Sequence, residues 1–196
     1  MISYLEGKVI KRSERSVIIQ SGSIGWRVFL GPNTLGKVQR NKGLVKVFTY
    51  FYSREDTKDL YGFLDFKELQ FFEMFLTVSG VGPRNAQLII DTLSLKEIIG
   101  SIQEEKPDFF IRIPGIGTRI AQKIIIDLKA KIQKLVLIGE LDLEALVEED
   151  DAIEALRSLG YKQNEAREAL KKVSKDTNGI SKRVEEALKL LGKPKS

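Results

Sequence analysis

One pattern is written twice in this chain, and it restricts the fold more than any other feature. Residues 75–90 read FLTVSGVGPRNAQLII and residues 110–125 read FIRIPGIGTRIAQKII. Gly80, Gly82, Arg84, Ala86, Gln87, Ile89 and Ile90 therefore recur 35 residues later as Gly115, Gly117, Arg119, Ala121, Gln122, Ile124 and Ile125. In each copy an apolar run enters Gly-aliphatic-Gly, and Ala and Ile then follow at helical spacing, which predicts helix, very tight turn, helix. Glycines flanking the turn allow positive φ and a close approach of backbone to whatever the turn faces. The following helix starts with unpaired N–H groups aimed at the same place, an arrangement suited to a phosphate.

The two copies resemble helix-hairpin-helix motifs, which hold DNA phosphates without reading sequence. Arg84 and Arg119 supply the cations. One Gly-Val-Gly alone reads equally well as an ordinary interhelical turn, whereas two related copies can hold both strands across one minor groove. Val81 and Ile116 sit at the centre of each turn, where an inward anchoring role comes first. Lys123 lies one turn beyond Arg119 on the same side of its helix, so both can face a phosphate. Lys129 is equally well a solvated surface charge, and Lys123 with Asp127 reads as an i,i+4 surface ion pair.

Composition narrows the function classes. With no Cys and no His, disulfides and His-based acid–base catalysis are excluded, and a zinc or iron–sulfur site is not expected. No cofactor is implied. No apolar stretch approaches the roughly 20 residues of a spanning helix, and the start lacks a signal-peptide core, so an intracellular, cytoplasmic protein off the membrane is expected. Residues 1–62 carry eleven basic against five acidic side chains, residues 63–135 ten against nine, and residues 136–196 eleven against thirteen. A basic first third is the weak electrostatic footprint of a nucleic-acid-binding surface.

Residues 1–64 contain five short β-branched or aromatic runs, at 2–9, 16–20, 24–30, 44–52 and 59–64, separated by turn clusters such as Ser21-Gly22-Ser23 and Gly31-Pro32-Asn33. This pattern predicts a small OB-type barrel. Tyr50, Phe51 and Tyr52 alternate between faces, which favours core or subunit interface over stacking on single-stranded bases. Between the last two runs, Glu55 and Asp56 form the tip of a polar connection that composition alone reads as a solvated turn.

From Asp65 the period becomes helical. Asp65 with Glu68 and Ser94 with Glu97 read as capping boxes, and a short helix begins at Pro107-Asp108. The last helix of the region is expected from about Thr118 to Lys134. An acidic stretch without a clear helical stripe follows, carrying Glu140, Asp142, Glu144, Glu148, Glu149, Asp150 and Asp151, and is expected as a flexible linker. Three short amphipathic segments close the chain. Ile153, Leu156 and Leu159 line the first, Ala166, Ala169, Leu170 and Val173 the second, and Ile180, Val184, Ala187, Leu188 and Leu191 the third. This minimal bundle, with its Leu159-Gly160-Tyr161 turn, resembles ubiquitin-associated-type protein-binding domains.

The expected fold is therefore multidomain α+β. An OB-type barrel occupies 1–64, an all-α tandem helix-hairpin-helix domain 65–138, an acidic linker 139–149 and a three-helix bundle 150–196. This order, with REDTKDLYGF at 54–63, SGVGPRNA at 79–86 and IPGIGTRIAQKIIIDLK at 113–129, closely resembles the RuvA family over essentially the whole chain. The resemblance implies a non-catalytic subunit that binds four-way (Holliday) junctions in recombination, repair and the SOS damage response. It also implies a homotetramer built on the barrel, a C-terminal domain engaging a RuvB-type ATPase motor, and a RuvC-type resolvase as further partner. One tetramer would leave a junction face open and two would enclose it; the sequence does not choose. Carried over residue by residue, Gly80, Val81, Gly82, Arg84, Gly115, Ile116, Gly117, Thr118, Arg119 and Lys123 become DNA-binding positions, and Glu55 and Asp56 an acidic pin. One departure is Thr118, where the family usually has a basic residue; Thr can hydrogen-bond a phosphate but brings no charge.

Two other classes compete. Helix-hairpin-helix domains also occur in DNA glycosylases and lyases, and OB domains in single-strand-binding proteins. The chain has no G-x-x-x-x-G-K-[ST] loop, so ATP hydrolysis would have to come from a partner.

Overall fold

Strands alternating buried and exposed residues must find a second layer or close on themselves, and the first five do the latter. β1 (Tyr4–Arg12), β2 (Ser16–Ser21), β3 (Ile24–Phe29), β4 (Val45–Ser53) and β5 (Lys58–Phe63) form a closed barrel in the order β1-β2-β3-β5-β4. The computed structural model describes residues 2–40, 43–139, 141–174, 177 and 179–192. β3 pairs with β5 in parallel at Phe29 and Tyr61; the other ladders are antiparallel. Leu5, Val17, Ile19, Val28, Val45, Val47 and Leu60 fill the interior.

A helix lies between β3 and β4, where the Gly31-Pro32-Asn33 cluster predicts a turn. α1 (Pro32–Arg40) buries Leu35 and Val38 against the barrel core. The Gly-Pro-Asn cluster suggested only a bend, but Pro fits the first position of a helix, where no N–H is needed.

The helical region follows its caps. α2 (Phe66–Leu76) starts at Asp65, whose carboxylate accepts the Lys67 N–H at 2.9 Å, while the Glu68 carboxylate accepts the Asp65 N–H at 3.3 Å. α4 (Leu95–Gln103) starts with the Ser94–Glu97 box. Such caps contribute about 1 kcal/mol each. α3 (Pro83–Thr92), α5 (Asp108–Ile111) and α6 (Thr118–Leu137) complete the region. Barrel and hairpins share one unit, residues 1–131.

The remaining residues form a second unit. α7 (Leu143–Ser158) begins inside the stretch expected as a linker, so that expectation is corrected from Leu143 onward; Glu140 lies outside the described residues. Glu, Ala and Leu propagate a helix without needing a clean apolar stripe. α8 (Gln163–Lys172) and α9 (Ile180–Leu191) pack with it around Ile153, Leu156, Tyr161, Ala166, Leu170 and Ala187. Leu159, expected in this core, is 52% exposed. The reason is the helix stop. Gly160 takes φ 94°, its N–H bonds the Arg157 carbonyl and the Tyr161 N–H bonds the Leu156 carbonyl. This is a Schellman turn, in which Tyr161 rather than Leu159 folds back into the core. The Tyr161 hydroxyl also donates to the Gly192 carbonyl, tying the turn to the end of α9.

Candidate nucleic-acid interface

The repeat in sequence is a repeat in backbone. Val78 N–H bonds the Phe75 carbonyl, Val81 N–H the Val78 carbonyl and Ala86 N–H the Gly82 carbonyl; 35 residues on, Ile113 bonds Phe110, Ile116 bonds Ile113 and Ala121 bonds Gly117. The first glycine of each turn needs its freedom, with φ 95° at Gly80 and 88° at Gly115. The second does not. Gly82 is extended at φ −85°, ψ 170°, and Gly117 likewise lies outside the positive-φ set. Among the described residues, no atom beyond the adjoining chain stands within 4 Å of where a Cβ on either would be, so the missing side chains leave the turns open to close approach from outside.

The side chains of Val81 and Ile116 face inward, as their anchoring role requires. Both side chains are buried and both N–H groups are already donated within the turn, so they act as anchors and contribute no contact atom of that kind. The open donors come one step later. Pro83 has no N–H, so α3 presents those of Arg84 and Asn85, whereas α6 presents Thr118, Arg119 and Ile120. Thr118 thus offers one more backbone donor than its counterpart Pro83.

Arg84, Arg119 and Lys123 are all exposed. The expected ion pair between Lys123 and Asp127 does not form, and Lys123 has no ion-pair partner among the described residues. Lys129, by contrast, is engaged with Glu105, whose carboxyl is held below the usual carboxylate range by the Lys129 hydrogen bond and charge. One cation escaped the sequence reading. Arg112 stacks over the Phe109 ring at 5.3 Å immediately before the second hairpin; its place two residues ahead of Pro114 was the available signal.

Glu55 and Asp56 occupy the tip of the β4–β5 hairpin. The Arg54 N–H donates to the Thr57 carbonyl at 2.8 Å and the Thr57 N–H returns to Arg54 at 3.4 Å, leaving the two acids as the loop. Both are exposed, and among the described residues neither forms an ion pair. Arg54 itself lies over the Tyr52 ring at 5.3 Å. The neighbouring aromatics alternate as expected: Tyr50 packs edge-on against Phe72 and Tyr52 against Tyr61, while Phe51 points outward. Burial, reinforced by the Asp59 charge, pushes the Tyr61 phenol up to about 12.

Comparison with known proteins places these features. A family model described as RuvA N terminal domain matches residues 1–62, one described as SAM-like helix-hairpin-helix tandem matches 72–130, and one described as RuvA, C-terminal domain matches 147–192. The chain is 35% identical over 199 residues to a protein of Ruminiclostridium cellulolyticum, covering 97% of this chain and 100% of the relative. The chain belongs to the RuvA family. A Halothermothrix orenii member is 36% identical over 98% of each chain and a Chlorobaculum parvum member 33% identical over 92% of each. All three relatives are named Holliday junction branch migration complex subunit RuvA. The family models leave residues 131–146 unmatched, the stretch around the acidic run. No helix among the described residues is long and apolar enough to cross a membrane.

Proposed function

We propose that this chain is a non-catalytic subunit that binds four-way DNA junctions and presents them to an ATP-driven motor. The observation that supports this most is the pairing of two open hairpins, carrying the exposed Arg84, Arg119 and Lys123, with two exposed acids at the barrel's hairpin tip, none of them in an ion pair among the described residues. Amides and cations can hold phosphates of either sequence, and the acids repel phosphates where strands would otherwise run across. Contacts are assigned to Gly80, Gly82, Arg84, Gly115, Gly117, Thr118, Arg119 and Lys123, with Val81 and Ile116 as supports.

The motor is taken to be a RuvB-type ATPase and the assembly a homotetramer in the cytoplasm, with a RuvC-type resolvase as a further partner. Tyr4, Phe48 and Phe66 support the oligomer: their rings follow one another at 5.7 and 5.6 Å, and Tyr4 and Phe66 are exposed. Aromatic rings presented together on a barrel suit contact with another copy. The exposed Leu159 and Leu190 of the bundle are the positions we assign to the motor.

An enzyme of the glycosylase or lyase class is disfavoured by Lys123, which lies exposed on a regular helix beside no paired acid. Titration of duplex, single strand and four-way junction, with incubation on abasic DNA, separates the readings. Preference for the junction and intact abasic DNA are expected. Strand cleavage at the abasic site, or equal affinity for all three, would overturn the proposal.

A further inference from the structure

Repeats that are equal in sequence are not equally anchored. On α3, Gln87 is buried and its amide donates to the Phe29 carbonyl of the barrel at 2.9 Å. One turn on, the Asp91 carboxylate accepts the Asn33 N–H at 2.7 Å and the Thr34 N–H at 2.9 Å, while the Asn33 amide donates to the Asp91 carbonyl at 2.8 Å. A carboxylate 58 residues away thus caps α1. Contact is close enough that a Cβ on Gly31 would lie 2.3 Å from the Asp91 carboxyl carbon. The corresponding residues of the second copy, Gln122 and Ile126, are exposed, Ile126 to 70%.

Among the described residues the hydrogen bonds from the hairpins to the barrel side come from the first hairpin, and the second is linked to the first. Asn85 donates to the Gly115 carbonyl, so the sequence of attachment runs from barrel to α3 to the second turn. The acids at the barrel tip and the cations of the hairpins act on the same DNA from separate parts of the fold. Their offset decides whether a continuous duplex can reach the hairpins without crossing the acids.

We infer that Asp91 is a positioning residue: by capping α1 it fixes both hairpins relative to Glu55 and Asp56, and so sets the preference for junction over duplex. This rests on the proposed junction-binding function. A loosened joint would let the hairpins follow a duplex displaced from the acids, while each phosphate contact stayed intact. Duplex affinity would then rise toward that of the junction, and discrimination would fall.

The chain contains no Cys, so single cysteines can be added and labelled. Spin labels on K58C and Q122C, in assemblies diluted with unlabelled chain, report the width of the barrel-to-hairpin distance. Asp91→Ala should broaden it. The same variant should lower the junction-to-duplex affinity ratio by about tenfold, the scale of one charge-assisted hydrogen bond, chiefly by raising duplex affinity, with junction affinity within about twofold. Asp91→Asn keeps one acceptor for the α1 amides and should give intermediate width and ratio, and it decides the matter if the Ala variant does not fold. An unchanged distance, or equal loss of duplex and junction affinity, would overturn the inference. A wild type without junction preference would instead sink the functional reading, and the distance measurement alone would then decide the joint.

Discussion

Asn85 donates its side-chain amide to the Gly115 carbonyl at 3.2 Å, reaching from the helix of the first hairpin to the turn of the second. The relation is reciprocal. A Cβ on Gly80 would meet Ile120, the residue 35 positions after Asn85, at 3.6 Å, and a Cβ on Gly115 would meet Asn85 at 3.1 Å. Each first glycine thus faces the third residue of the other copy's helix. The two turns are held as a pair, with a polar clasp on one side and an apolar contact on the other.

The two glycines of each turn should consequently fail differently. Gly80→Ala and Gly115→Ala force an L side chain to positive φ, which costs about 1–2 kcal/mol each, with a tight contact to Asn85 added at Gly115. Gly82→Ala and Gly117→Ala meet no atom beyond the adjoining chain among the described residues and lose only an N-cap preference, under about 1 kcal/mol. Their methyl groups instead occupy the space a phosphate needs. Denaturant unfolding should rank the first pair as less stable, and DNA titration should show the second pair binding weakly at near-normal stability. If the second pair binds normally, the turns do not face phosphate.

Charge reversal addresses the cations. Each neutralised phosphate should contribute about 0.9 to the slope of log affinity against log salt on duplex DNA. Arg84→Glu with Arg119→Glu should lower that slope by about 2 and weaken duplex and junction alike, without changing the mass of the assembly. An unaltered slope in the folded double variant would remove both residues from the interface.

Much of this was legible in the sequence because glycine spacing and capping boxes are local signals. The repeat placed both turns, and Asp65–Glu68 and Ser94–Glu97 marked two helix starts where the structure has them. What escaped depends on long-range contact. α1 was hidden in a Gly-Pro-Asn cluster because its core-facing residues, Leu35 and Val38, are too few to show a period. Gln87 and Gln122 look alike in the repeat, yet only Gln87 meets the barrel. Nor could spacing tell that Lys123 would stay apart from Asp127, or that Tyr161 would take the core place expected for Leu159.

Tyr61 gives the barrel a stability limit at high pH. Its phenol ionises near 12 in the folded chain because burial and Asp59 oppose the anion, against about 10 for an unfolded tyrosine. Above pH 10 the unfolded chain releases this proton while the folded chain retains it. The unfolded state then binds fewer protons, so stability falls with rising pH between about 10 and 12. Spectrophotometric titration should find the Tyr61 phenol ionising last, after the also raised Tyr4, and Tyr61→Phe should remove that last step. A Tyr61→Phe protein that still shows a tyrosine ionising near 12 would assign the shift elsewhere.

Under the proposed function, Glu55 and Asp56 are the residues assigned to tell a junction from a duplex. Both lie exposed at a hairpin tip closed by Arg54 and Thr57, and neither is neutralised by an ion pair among the described residues. In a fourfold assembly with the tips at its axis, about eight carboxylates would meet where strands exchange. Like unit charges about 4 Å apart repel by roughly 1 kcal/mol in water and about 4 kcal/mol near a protein surface. A duplex laid across the centre would carry its phosphates over this charge, whereas an open junction turns its strands into separate arms and leaves the centre free. The acids should therefore reduce total affinity while widening the gap between the two substrates. Glu55→Gln with Asp56→Asn should raise duplex affinity more than junction affinity, at unchanged folding because the two carboxylates have no ion pair to lose among the described residues. The measurement is a pair of titrations, duplex and junction, at one ionic strength on wild type and double variant. A ratio of affinities that does not move would return these two residues to the role of an ordinary solvated turn.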